Sequence, residues 1–435
     1  MATATERPPE EKKEVPEQQP AAVAESGAPG SAEPAVPVES AEPAPAPAEA
    51  AEGVAPAEAE DQLPTEKTPT LMDKVQAFRE RYATWEMAVF FFAGFLYDVF
   101  TLGRIDDRLN LISQGAYLVV LGGLLLLEQR WSGDVQPPPW MQKAWRFSED
   151  ALHFLFGSLL SAYTLFYFKS ASGVTAVLFL LALFALLVGN ELPRFRAMGP
   201  VVRVGLYSFC LTSYFAYLLP VVVGFLSGWL FFLALVLSSG VVFGLFHLVR
   251  KWSSGDMHVA VQRVAVTGFG MQGLLLVLYL LSVIPPVPLS VEFSGIYHNV
   301  EKRNGPKGRE YLLHHERTDW KFWQHGDQDF RVRPGDKAWY FVRVFAPARF
   351  EDRVTFRWYY DDPKKGWTER SAFKTGIAGG REQGFRTMAY TTNPSPGDWY
   401  VTVETADGRE IGRMSFTVTA DDRTGPRSFQ VDKDA

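Results

Sequence analysis

The 435-residue chain holds one cysteine, Cys210, and it lies inside an apolar run, so a disulfide framework is excluded. Aromatic residues are missing from positions 1–70, although 13 of the 29 prolines fall there. Without aromatic residues and with few other large apolar side chains, that stretch has too little to build a core from. Charged residues are missing from positions 204–249, which hold 46 residues without Asp, Glu, Lys or Arg. That run is too long for one membrane span and right for a hairpin of two, turning near Pro220–Gly228. Several chemical signatures are also missing. There is no His-Glu-x-x-His, which argues against a zincin-type metalloprotease, and no Gly-x-x-x-x-Gly-Lys-Ser/Thr, which argues against nucleotide-driven transport. There is no Gly-x-Ser-x-Gly nucleophile elbow. The last apolar run has no lysine for a retinal Schiff base, and no inverted repeat crosses the apolar runs, which weakens a transporter reading.

The averages that remain, 47% hydrophobic, 21% charged and a net charge of −6, hide three unlike segments. Residues 1–70 carry 4 Lys/Arg against 15 Asp/Glu and are rich in Ala, Pro and Glu, as in Ala-Glu-Pro-Ala-Pro-Ala-Pro-Ala-Glu-Ala at 41–50. Such a segment cannot bury enough apolar surface to offset chain entropy, so a disordered, extended tail is predicted. The first ten residues contain no apolar core, so no cleaved leader is expected. A capping pattern at Thr70-Leu-Met-Asp73 predicts a helix over 71–84 that lies at the interface or runs into the first span.

Residues 71–284 predict a seven-helix transmembrane domain, with spans near 85–103, 110–128, 149–168, 173–190, 201–220, 226–249 and 260–284. The first is interrupted by Glu86 and Asp98. Counting basic residues in alternate loops gives thirteen on one side and three on the other, Arg104, Arg108 and Lys169. By the positive-inside rule the N-terminus is cytoplasmic, and an odd number of spans puts the C-terminal domain outside. Trp85, Trp131, Trp140, Trp145 and Trp252 sit at span ends or loops, as an interfacial aromatic belt requires. The expected location is a bacterial inner membrane, with the bilayer itself as the first partner.

Polar residues inside spans are costly and are functional suspects by default. Here they are Asp98, Gln114, His153, His247 and Gln272. Most lie near a span end, where a structural hydrogen bond is the simpler role. Asp98 precedes Arg104, Asp106, Asp107 and Arg108, which suggests a charge cluster near the outer face. Its expected partner is Arg108, brought back by a turn, or Gln272 on another span.

Residues 289–420 alternate cleanly between apolar and polar. Val354, Phe356, Trp358 and Tyr360 share one strand face, as do Trp399, Val401 and Val403, and Met414, Phe416 and Val418. Asp407-Gly408 is a hairpin turn signal. Five more strands are expected near 290–298, 309–317, 337–345, 367–375 and 384–392, giving an all-β, immunoglobulin-like sandwich of two sheets. Trp339, Trp358 and Trp399 are expected in its core, and residues 421–435 as a flexible tail. Gly384-Phe-Arg-Thr387, Pro396-Gly-Asp-Trp-Tyr-Val-Thr-Val403, Asp407-Gly-Arg-Glu-Ile-Gly412 and Phe416-Thr-Val418 resemble the C-terminal part of the bacterial family known as domain of unknown function 2914. The resemblance covers about 289–420. It implies a bacterial protein, often with several spans before this domain, and supplies no activity or catalytic residue.

The segment 314–327 gathers His314, His315, Trp320, Trp323 and His325 with three acids. It reads as a ligand-facing aromatic loop or as a connection packed by its own rings. Its ligand spacing does not fit a metal site, so no metal is expected. No cofactor is expected either, and the scattered basic residues do not predict nucleic-acid binding. Three functions follow. The first is a non-enzymatic inner-membrane protein that displays a periplasmic sandwich for binding or assembly with an envelope protein or glycan. The second is a transporter or channel-like component with the sandwich as accessory. The third is a membrane enzyme acting on lipid or envelope glycan through Asp98, His153 and their neighbours.

Overall fold

The computed structural model describes residues 93, 95, 96, 98–100, 102–131, 135–192, 199–252, 257–305, 308–381 and 383–434. The tail at 1–70, the helix expected over 71–84 and most of the first span lie outside the described residues. Of that span, residues 93, 95, 96 and 98–100 are helical. The helices that follow are α1 (Arg108–Arg130), α2 (Pro139–Trp145), α3 (Ser148–Ser170), α4 (Gly173–Glu191), α5 (Gly199–Val223) and α6 (Gly228–Trp252). Then α7 (Met257–Ala260), a π-helical turn (Val261–Ala265) and α8 (Val266–Leu280) run on from one another.

Among the described residues five helices are long and apolar enough to cross a membrane: α1, α3, α5, α6 and the run Val261–Leu280. They mark the chain as a membrane protein. The expected span at 173–190 forms the apolar helix α4, whose long apolar stretch, Thr175–Asn190, is shorter than the other five. At ~1.5 Å per residue, helices of 23–25 residues are ~35–38 Å long and clear a ~30 Å hydrocarbon layer, leaving their ends at headgroup level.

Outward positions of these helices carry exposed Val119, Phe154, Phe168, Leu181, Val236, Phe243 and Val277. So much exposed apolar surface suits lipid, not water. Helix α5 lies at the centre and is buried continuously from Val204 to Ser213. Its Tyr207 and Tyr214, seven residues apart, meet Gly122 and Gly115 of α1, also seven apart. A Cβ on these glycines would lie 2.6 Å and 2.7 Å from the tyrosine hydroxyls. Small residues here let α1 and α5 approach closely, as is usual between membrane helices.

Among the described residues the C-terminal part contains eleven strands where eight were expected: β1 (Ser290–Tyr297), β2 (Asn299–Gly305), β3 (Gly308–His315), β4 (Asp329–Val332), β5 (Lys337–Phe345), β6 (Glu351–Asp362), β7 (Gly366–Ala378), β8 (Phe385–Thr392), β9 (Gly397–Glu404), β10 (Glu410–Ala420) and β11 (Gln430–Asp434). One sheet, ordered β1-β5-β8, faces a five-stranded sheet, β4-β10-β9-β6-β7. Between them Tyr340, Val342, Val344, Phe356, Trp358, Trp399, Val401, Phe416 and Val418 form a β-sandwich core. A third sheet, β11-β3-β2, covers the other face of β1-β5-β8 over a second cluster with Tyr297, Val300, Tyr311, Leu313 and Phe341.

The two-sheet expectation is corrected by this third layer, and its reason lies in β5. Alternate residues of β5 face the main core, while Phe341, on the other face, is fully buried against the small sheet. Trp339, expected in the core, is instead only partly buried, in the second cluster and against Tyr390. Residues 421–434, expected within a flexible tail, are ordered by side-chain and strand pairing. Asp421 is gripped by Arg423, Arg333 and Arg427, and β11 then pairs antiparallel with β3. Arg423 foremost, these guanidiniums hold the Asp421 carboxyl well below the usual carboxylate range. Asp434, at the end of β11, pairs with Arg343 of β5 and Arg386 of β8.

The sandwich sits directly on one end of the helical block. The Ala348 N–H donates to Asp106 Oδ2 at 2.9 Å, and the Glu351 N–H to the Gly224 carbonyl at 2.8 Å. The Leu226 N–H donates to Asp352 Oδ2 at 3.0 Å. Gly224 has φ 90°, and a Cβ there would come within 2.7 Å of the Arg349 carbonyl oxygen, so this turn suits glycine on both counts. The Asp407-Gly408 hairpin between β9 and β10 brings the Arg409 guanidinium 3.4 Å from the Tyr279 ring centroid on α8, and Tyr279 stacks on Phe231 of α6 at 3.7 Å. The Ser172 hydroxyl, between α3 and α4, donates to Glu410 at 2.6 Å.

Candidate functional site

Inside the helical block the polar residues find neighbours, and the partner of Asp98 differs from the one expected. Asp98 Oδ2 accepts from the Ser161 hydroxyl of α3 at 2.6 Å, not from Arg108 or Gln272. Arg108 opens α1 and is exposed. Arg104 is held by Asp106, through Nε to Oδ1 and Nη2 to Oδ2, both at 3.1 Å. Gln272 is buried and bonds the hydroxyls of Ser239 and Ser238, which in turn takes part with Thr212 in a chain across α5, α6 and α8. Gln114 accepts from the Tyr217 hydroxyl. His153 is buried near Glu149, with its carbonyl accepting from Asn190 at 3.2 Å, and His247 is exposed. The bonds of Asp98, Gln114 and Gln272 are links between helices, each satisfying a group that would be costly in an apolar medium. They do not converge on one point.

On the sandwich the expected loop is split. His314 and His315 are the last residues of β3 and belong to the small sheet. His315 is buried with Nε2 3.1 Å from Asp432 Oδ2 of β11, and His314 Nε2 is 3.5 Å from Glu301 of β2. Trp320, Trp323 and His325 lie beyond, on the connection to β4. Trp320 and Trp323 are exposed and meet edge to face at 5.3 Å, and Phe322 joins Trp323 at 5.2 Å with 79% of its surface open. His325 rests on Phe293 of β1 at 4.6 Å, and burial lowers its pKa from the ordinary value.

Beside these rings runs a polar cleft of about 130 Å³, whose walls include Glu316, Arg317, Lys321, Gln324, Asp327 and Asp329. Lys321 bridges the two features: its Nζ is 2.6 Å from Asp329 Oδ2 and 5.7 Å from the Trp320 ring centroid. At the base of the cleft Asp327 is buried, and its two oxygens take the Glu316 N–H at 3.0 and 2.9 Å. Burial outweighs these bonds and pushes its pKa up to about 7. Its neighbour His298, with Nε2 3.6 Å away and its ring on Phe330, is pushed down to about 4 by burial and then by Arg427. At neutral pH this contact therefore joins a neutral imidazole to a carboxyl that is partly protonated, and it is not an ion pair. Glu316, Arg317 and Asp327 were in or beside the segment singled out in the sequence, but the cleft needs β1, since Gly326 pairs with Ile296 and the Asp327 N–H donates to the Ile296 carbonyl at 2.7 Å. Among the described residues no group of three or more His, Cys, Asp or Glu converges as metal ligands.

Fold and site together define a class: membrane-length helices carrying, on one end, a β-sandwich with an exposed aromatic loop beside a polar cleft. Residues 351–418, from β6 to most of β10, match the family described as Protein of unknown function (DUF2914). This is the family that the sequence resembles, matched over a shorter stretch than 289–420. No curated protein matches the chain. Among solved structures, an immunoglobulin-like protein from Pseudomonas aeruginosa is 12% identical, with 28% of this chain and 96% of that chain covered and a TM-score of 0.17. A beta-glucosidase from Listeria innocua, in complex with glucose, is 11% identical over 21% of this chain and 15% of that chain, with a TM-score of 0.16. Superpositions this loose carry no argument, and the description of the fold rests on the strand order given above.

Proposed function

We propose that the protein is a non-enzymatic inner-membrane protein of seven spans that holds an immunoglobulin-like binding module on the periplasmic side, and that the module takes an envelope glycan. The observation that carries the ligand surface is the exposed trio Trp320, Phe322 and Trp323 next to the polar cleft. Three large rings left in solvent on one loop cost solubility unless a partner covers them. Flat aromatic faces beside carboxylates, an arginine and an amide suit the C–H faces and hydroxyls of a sugar chain. The placement of the module is supported by its contacts with Asp106, Ser172, Gly224 and Tyr279, which all lie at the ends of the helices that are sparse in basic residues. The basic residues Arg130, Arg203, Arg250 and Arg263 belong to the opposite ends. A transporter reading gains no support from Asp98, Gln114 and Gln272, which bond hydroxyls of neighbouring helices.

The test is cosedimentation of the full-length, detergent-solubilised chain with purified peptidoglycan sacculi. Wild type should sediment, and the double variant Trp320→Ala/Trp323→Ala should bind about tenfold more weakly, the scale of a lost aromatic hot spot. Equal sedimentation of the two would remove the aromatic loop from the ligand surface.

A further inference from the structure

A second cleft, of about 110 Å³, opens where the sandwich meets the helical block, and its walls include Arg104, Lys169, Ser170, Ser290, Glu292 and Phe345. Arg104 stands just before α1, and Lys169 is the penultimate residue of α3. Both therefore lie at headgroup level if the block spans a bilayer. Only three basic residues occupy the loops on this side, and two of them line this one cleft.

The charges are arranged in a definite way. Arg104 is fixed by Asp106, which also takes the Ala348 N–H, and its guanidinium lies 4.9 Å from the Phe345 ring centroid. Its charge is largely compensated, while its Nη1 carries no bond among the described residues. Lys169 is exposed and forms no ion pair among the described residues. Glu292 is exposed and accepts only from the Ser290 hydroxyl, at 2.8 Å. The cleft thus offers one uncompensated cation and one uncompensated carboxylate, which do not pair with each other, above an apolar floor that contains Phe345.

We propose that this cleft binds the phosphoethanolamine headgroup of a membrane lipid, with the phosphate on Lys169 and Arg104 and the ammonium on Glu292. A purely anionic headgroup would leave Glu292 facing it without a counter-charge. A quaternary ammonium would bring no N–H for the carboxylate. The proposal rests on the reading that the helices span a membrane, and it is independent of the aromatic loop.

Native mass spectrometry of the full chain in detergent, with equal amounts of phosphatidylethanolamine and phosphatidylglycerol, tests it. Wild type should retain the ethanolamine lipid in preference by about tenfold, the scale of one charge-assisted hydrogen bond. Glu292→Gln should abolish the preference while keeping lipid bound. Lys169→Gln should weaken both lipids by a similar factor. Absence of preference in wild type, or a preference unchanged in Glu292→Gln, overturns the assignment. Displacement of the lipid by soluble phosphoethanolamine at equal concentration would assign the site to a soluble ligand and overturn the lipid source. Release of the chain from membranes by alkaline carbonate would overturn the spanning reading itself, and that outcome is separate from a failure of lipid preference.

Discussion

Replacing Trp399 by alanine is the sharpest probe of the sandwich. The ring is 4% exposed on β9, opposite Phe416 of β10 and Tyr360 of β6 in the ladder. It lies 5.0 Å from the Tyr360 ring and 6.4 Å from that of Phe416. Its Nε1–H donates to the Ser395 carbonyl at 2.8 Å. Burying about 200 Å² of indole at ~25 cal/mol/Å² is worth ~5 kcal/mol as an upper estimate. Measured losses for such truncations run at about 3–5 kcal/mol. The lost hydrogen bond adds at most ~1 kcal/mol, because Ser395 is exposed and water can take its carbonyl. A loss of about 4 kcal/mol is therefore expected for Trp399→Ala in residues 289–434, read by urea unfolding followed by far-ultraviolet circular dichroism. Trp367→Ala is the control. That ring is 49% exposed against Tyr400 and should cost below ~1 kcal/mol. A Trp399→Ala loss below ~1 kcal/mol, or a larger loss for Trp367→Ala, would refute the register, because a slip of one residue exchanges the two faces.

Ending the domain at residue 420 instead of 434 should cost about 2–4 kcal/mol in the same urea assay, since it strips β11 and leaves Arg343 and Arg386 without Asp434; equal midpoints would show that β11 contributes nothing. The buried pair Asp327 and His298 should give opposite pH slopes when separated. Asp327 has its folded pKa raised to about 7, so its contribution is full at low pH and is lost as pH rises through about 7, and this trend should remain in His298→Gln. His298 has its folded pKa lowered to about 4, so its contribution is present at neutral pH and is lost as pH falls from about 6.5 through about 4, and this trend should remain in Asp327→Asn; parallel slopes in the two variants would contradict both assignments. In a Cys210→Ser background, an impermeant thiol reagent applied to intact spheroplasts should label Arg108→Cys and spare Lys143→Cys, and the reverse pattern would invert the membrane orientation.

The parts legible in the sequence were those with a strong period or a long uniform run. The faces of β6, β9 and β10 could be read because Val354 to Tyr360, Trp399 to Val403 and Met414 to Val418 alternate cleanly, and these residues are buried in the structure. Strand β2, Asn-Val-Glu-Lys-Arg-Asn-Gly, could not, because it pairs through its backbone at a surface and most of its side chains stay in solvent. Strand β11 is equally polar and gains order from Asp434, whose partners are supplied by β5 and β8. The Ser161 partner of Asp98 is 63 residues away, and no local spacing announces it. The matched intervals of Gly115 and Gly122 with Tyr214 and Tyr207 were visible as separate spacings, but pairing them requires knowing that α1 and α5 touch. The aromatic loop stood out by composition, while the cleft beside it depends on the meeting of Asp327 with β1.

The seat of the sandwich has a mechanical consequence. The chain passes from Val287, buried in the helical core, to Leu289, buried in the sandwich core, with one residue between them. Asp106, Gly224 and Tyr279 then fasten the domain from three other directions. Contacts on several sides oppose a swing of the domain about the short connection at Pro288. The eight residues of β1 span ~26 Å at ~3.3 Å each, and the Asp327 cleft opens level with Ile296, near the C-terminal end of that strand. On the proposed membrane placement, the cleft is carried at a set height above the bilayer, so the molecule would work as a ruler: a target a few nanometres higher is out of range, however tightly the isolated domain would bind it.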